Sequence, residues 1–146
     1  MLKFAQFVAV LTLLLVASVN ASDTVVVKTG WTGEYNTNEV FYSTINNAKQ
    51  ELTLECLSGQ WNFGYANSTT GDEANSHDNE FTVIVDGQAF KLPLTPKTQE
   101  ALYNALANAK NTLQYVTDGV TSTPEPVQGL ATMIKDVPYK LSHCTR

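Results

Sequence analysis

Polar and apolar residues alternate with a period of two along several short runs, most sharply from Glu51 to Cys56. Leu52, Leu54 and Cys56 fall on one side, with Glu51, Thr53 and Glu55 on the other, the pattern of a strand with one face buried. Ser58-Gly59 predicts a tight turn, after which Gln60 to Tyr65 returns with Trp61, Phe63 and Tyr65 on a single face. That aromatic ladder reads as a core face opposite Leu52 and Leu54, with a ligand-stacking face as the alternative. A second hairpin is expected from Phe81 to Val85, through the turn Asp86-Gly87, and back along Gln88 to Leu92 until Pro93 ends it. Thr24 to Lys28 is a β-branched run and a first strand, followed by a turn over Thr29 to Gly33. Glu39 to Thr44 alternates and predicts another strand, ending at Asn46-Asn47. Between the two hairpins, Ala66 to Asn79 has no apolar periodicity and predicts a long, solvated loop without fixed structure.

The period then changes. Thr95 can cap a helix and Pro96 suits its first position, while Leu102, Ala105, Leu106 and Ala109 share one stripe, so a helix is expected over Gln99 to Lys110. Leu113 and Tyr115 suggest a further strand ending at Asp118-Gly119. Val120 to Gln128 holds two prolines and three hydroxyl residues and reads as a loop. Leu130 to Val137 reads as a shorter helix, with Leu130, Met133, Ile134 and Val137 inward and Pro138 ending it before a tail from Tyr139 to Cys144. The expected class is α+β, an antiparallel sheet or small β-sandwich with one or two packed helices.

The first residues change the compartment. Lys3, an apolar run from Phe4 to Val16 and small residues up to Ala21 have the layout of a secretory signal over residues 1–21; a retained N-terminal anchor is the alternative. The remaining residues, 22–146 with Ser22 as the expected start, fit one domain. Fourteen acids against nine Lys/Arg give a net charge of −5, about −6 once Lys3 is gone. Such a chain is a poor match for nucleic acid or an anionic membrane surface and suits a basic partner. Nothing after the signal is apolar enough for membrane insertion. Cys56 and Cys144 are the only cysteines, and in an oxidising compartment they are expected to form one disulfide. Their wide separation does not resemble a metal pair.

Candidate chemistry is sparse. His77 lies in the polar loop beside Asp72, Glu73, Asp78 and Glu80, and His143 precedes Cys144. Neither stands near a nucleophile motif, so no catalytic residue is assigned. Loop acids could offer oxygen ligands to calcium, but their spacing is not that of an EF-hand, so neither a metal nor a cofactor is expected. Asn67-Ser68-Thr69 is a glycosylation sequon whose use depends on the source. Asp72, Glu73, His77 and Asp78 are therefore candidates for meeting a basic partner protein. Trp31, between Gly30 and Gly33, is expected to pack at the core edge, with an exposed binding role as the alternative.

Leu52-Thr53-Leu54-Glu55-Cys56, the aromatic return strand, Phe81 through Pro93 and the late Cys144 resemble small bacterial periplasmic β-rich proteins. These are the C-type lysozyme inhibitors and proteins encoded near type VI secretion genes. The resemblance covers residues 51 to 93 plus Cys144 and implies a β-rich fold closed by a late cysteine. Where the inhibitors carry a Ser-Gly-x-x-Tyr-type segment after the second hairpin, this chain has Leu94 to Gln99 and then a helix. No inhibitory residue carries over. The expected function is an exported, periplasmic or secreted, non-enzymatic envelope protein that binds and inhibits or neutralises a partner, a wall hydrolase or toxin. An accessory component of an envelope, secretion or phage-encoded machine is the second reading, with Trp31 as apolar contact. A small hydrolase comes third.

Overall fold

The computed structural model describes residues 24–36, 39–136 and Cys144. The expected signal, the end of the second helix at Val137 and His143 lie outside the described residues. Six strands follow one another as an antiparallel meander: β1 (Thr24–Lys28), β2 (Trp31–Tyr35), β3 (Glu39–Ile45), β4 (Gln50–Leu57), β5 (Gln60–Asn67) and β6 (Glu73–Asn75). The second sheet contains β7 (Phe81–Val85), β8 (Gln88–Lys91), β9 (Thr112–Thr117) and β10 (Val120–Thr121), ordered β10-β9-β7-β8. β11 (Glu125–Pro126) pairs with β9 beyond β10. α1 (Pro96–Asn108) links β8 to β9, and α2 (Gln128–Lys135) follows β11. All pairings are antiparallel, and the class is α+β.

Local chemistry explains most boundaries. Four hairpins turn on Thr29-Gly30, Ser58-Gly59, Asp86-Gly87 and Asp118-Gly119, with both φ angles positive in each pair. Such two-residue turns match the twist of antiparallel strands, and glycine takes the second positive φ without steric cost. Thr95 caps α1 as expected: the Thr98 amide donates to Thr95 Oγ1 at 3.2 Å, and the Thr95 amide donates to Thr98 Oγ1 at 2.7 Å. Leu102, Tyr103 and Leu106 are its buried side chains.

One hydrophobic cluster draws residues from both sheets and both helices. Trp61, Phe63 and Tyr65 are buried in it, so the aromatic ladder is a core face. Phe63 of β5 meets Phe81 of β7 and Tyr115 of β9, with ring centroids 6.2 and 5.7 Å apart. The fully buried Tyr115 hydroxyl donates to the Thr53 carbonyl of β4 at 2.9 Å, tying one sheet to the other. α2 packs on α1 and against β1 and β2. Cys56 is bonded to Cys144, with Cα atoms 5.3 Å apart. Gln99 of α1 donates its side-chain amide to the carbonyls of Gly59 and Cys144 beside that link.

Two expectations are corrected. Residues 66–79 are not a structureless loop: β5 continues to Asn67, and β6 pairs with it in the register Gly64↔Asn75 and Ala66↔Glu73. The stretch after Asp118-Gly119 is not all loop, since β10 and β11 both pair with β9. Trp31 packs into the core as expected, and the alternative of an exposed binding residue falls: it is 0 % exposed, and its indole N–H donates to the Pro126 carbonyl at 2.8 Å.

Candidate protein-binding face

Paired residues in an antiparallel sheet project to the same side, so the register defines the outer face of the six-stranded sheet. One ladder runs Val25, Glu34, Phe41, Glu55, Asn62; the next runs Val27, Thr32, Ser43, Thr53, Gly64, Asn75. A third runs Ile45, Glu51, Ala66, Glu73, and Glu39 stands with Leu57 and Gln60. The strand positions on this face thus carry Glu34, Glu39, Glu51, Glu55 and Glu73 and neither lysine nor arginine. Val25, Val27 and Ile45 are at least 58 % exposed, so the face is both acidic and partly apolar.

At its β6 end the face hollows into an open groove of about 480 Å³, lined by Glu51, Thr53, Gly64, Ala66, Glu73 and Asp78 among others. Gly64 forms the floor because Thr53 lies across it. A Cβ there would sit 2.5 Å from Thr53 Oγ1. The Asn75 side chain holds the β6–β7 connection. Its Oδ1 accepts from the His77 and Asp78 amides at 2.9 and 3.0 Å, and its Nδ2 donates to Asp78 Oδ2 at 2.9 Å. Ser76 fastens the same connection to β5, its amide donating to the Phe63 carbonyl and its Oγ accepting from the Phe63 amide, both at 2.9 Å.

This arrangement divides the residues expected to form one acidic loop surface. Glu73 and Asp78 join Glu51 in the groove. Asp72 instead accepts from the Thr70 hydroxyl at 2.6 Å within the β5–β6 turn. His77 lines a smaller cavity of about 150 Å³ with Trp61, Asn62, Ser76 and Gln99. Asn67 is half-buried, with its Oδ1 accepting from the Thr69 amide at 2.9 Å.

Glu39 and Glu55 form a carboxyl pair on the same face. Burial pushes the Glu55 carboxyl above the usual carboxylate range, and its hydrogen bond to Glu39 and the Glu39 charge push it further. Asn62 and the His77 charge act the other way. The alternation along β4 puts Glu51 and Glu55 on its solvent side, but nothing local to them points to a role. The missing signal was strand order: once β6 lies beside β5, Glu73 falls on the same ladder as Glu51.

Among the described residues, no three His, Cys, Asp or Glu side chains are arranged to hold a metal ion, and no helix is long and apolar enough to cross a membrane. Compared with protein-family models, curated proteins and solved structures, the chain finds no significant match in any of the three.

Proposed function

We propose that this is an exported, non-enzymatic envelope protein that binds a basic partner protein, a wall hydrolase or toxin, and inhibits or neutralises it. The observation that carries this reading is the outer face of the six-stranded sheet, whose strand positions bear Glu34, Glu39, Glu51, Glu55 and Glu73 without a cation. A basic surface docking there exchanges like-charge crowding for opposite-charge contacts, which raises the rate of encounter and sets orientation. The groove over Gly64 gives one partner side chain a place to lie between Glu51, Glu73 and Asp78. The disulfide supports the export side of the reading, because such bonds persist in oxidising compartments.

The second reading, an accessory subunit of an envelope or secretion assembly, draws on the exposed Val25, Val27, Ile45 and Leu57 of the same face. Affinity capture from an envelope extract at low salt separates the two. The acidic-face reading expects a basic protein on the wild-type chain, released at high salt and not retained by the triple variant Glu51→Gln, Glu73→Gln, Asp78→Asn. Identical retention by both chains at every salt concentration would sink it in favour of the apolar contact.

A further inference from the structure

We propose that β1 is a self-pairing edge, and that two copies of the chain join antiparallel along Thr24–Lys28 into one continuous sheet. β1 ends the strand order, and among the described residues only β2 pairs with it. Every second residue therefore directs its backbone N–H and C=O away from the sheet. Proteins usually blunt such an edge with charge, proline, a bulge or a very short strand. β1 has none of these over its first four residues: Thr24, Val25, Val26 and Val27 are uncharged, and the whole strand runs in unbroken register with β2. Val25 and Val27 are also 58 % and 67 % exposed.

The strand is complementary to itself, which is why the occupant is a second copy. Turned antiparallel about Val26, all five residues find partners. Val25 meets Val27 of the second copy, Val26 meets its own counterpart, and Lys28, the only charge, meets Thr24. No like charges face each other, and the four exposed valines close over one another on the outer face. The contact is isologous and closes as a two-fold dimer. Among the described residues, the nearest carboxylate on that face, Glu34, sits one strand back from β1. Its counterpart then lies three strand spacings away, about 14 Å, beyond the screening length of about 8 Å at physiological salt. A pairing of this size buries less than the roughly 1,600 Å² of a standard interface, so the dimer dissociates on dilution.

Sedimentation velocity on the mature, disulfide-intact chain over micromolar to millimolar concentrations tests this. The mass is expected to rise from one protomer towards two, and to do so at lower concentration in high salt, because the acidic protomers repel one another. The variant Val25→Lys/Val27→Lys, with its near-UV circular dichroism unchanged, is expected to stay at one protomer throughout. In the wild type, the amides on the outer edge of β1 should exchange quickly when dilute and slowly when concentrated. A wild-type chain that remains one protomer overturns the proposal, as does a double-lysine variant that associates equally well. So does a mass increase without slower exchange in β1, because it places the contact elsewhere. Salt separates this inference from the acidic-face reading: it strengthens self-pairing and weakens capture of a basic partner.

Discussion

Asp86 shows how much one side chain can organise. It occupies the β7–β8 turn with φ +47°, and its carboxylate accepts the backbone N–H groups of Lys110, Asn111 and Thr112 at 2.8, 2.9 and 2.9 Å. Those three amides connect the end of α1 to the start of β9. Burial alone would raise the carboxyl's pKa, but the three donors and the Lys110 charge outweigh it and hold the group below its usual range. A carboxyl depressed in the folded state adds stability above its unfolded pKa of about 3.9 and loses it as pH falls through the folded value. Asp86→Asn keeps an acceptor and tolerates positive φ, so it removes mainly the charge. Its urea midpoint should fall by about 1 kcal/mol equivalent at neutral pH, a figure discounted because the group is exposed. The deficit should shrink as pH falls below the unfolded value of about 3.9 and the folded carboxyl takes up its proton; an equal deficit at neutral and acidic pH would show that the charge is not the cause. Asp86-Gly87 was legible as a turn because both residue types accept positive φ. The reach to Lys110 was not, since no local pattern spans 24 residues. Trp31 is the same case: its partner carbonyl lies 95 positions away.

Elements whose signal is local were readable from the chain. The alternation of β4 and β5, the X-Gly turns and the Thr95 cap each draw on residues within a few positions of one another. β6 was not readable, because Glu73-Ala74-Asn75 alternates nothing apolar except Ala74 and is a strand only by pairing to β5. α2 starts at Gln128, two residues before the expected Leu130, as Gln128 and Gly129 add nothing to its apolar stripe. Gly129 has a tertiary reason: a Cβ there would lie 1.9 Å from the Lys28 carbonyl oxygen, backbone that cannot rotate away. Two effects of opposite sign compete in Gly129→Ala. Helix propensity alone would stabilise by about 1 kcal/mol, while forcing α2 off the β1–β2 turn should cost about 3 kcal/mol as overpacking. The clash should win, lowering the urea midpoint by about 2 kcal/mol equivalent net. A raised midpoint would mean that α2 does not rest on that turn.

At the scale of the whole molecule, the division into two sheets could not be read from the chain. β5, β6 and β7 follow one another with short connections, and nothing local at Glu80 marks where one sheet ends and the next begins. The single long-range link that was legible is Cys56–Cys144, because two cysteines leave one possible pairing. That link also makes the largest single prediction about stability. It closes a span of 88 residues, and the loop-entropy relation assigns such a closure about 4.6 kcal/mol, acting on the unfolded chain. A domain of this size has only about 5–15 kcal/mol in total. The double variant Cys56→Ser/Cys144→Ser should therefore lose a large share of its stability. Both cysteines are buried, at 2 % and 0 % exposure, so two hydroxyls in their place add a packing penalty. Reduction of the wild-type chain isolates the cross-link from that penalty, because it leaves two thiols of nearly the same shape. Urea unfolding with and without reductant should differ by about 4.6 kcal/mol in extrapolated stability, and the double variant should unfold more easily still. Coincident unfolding curves for the oxidised and reduced chains would mean that the link contributes nothing, and that the packing of β4, β5 and α1 around Gln99 alone holds this end of the fold.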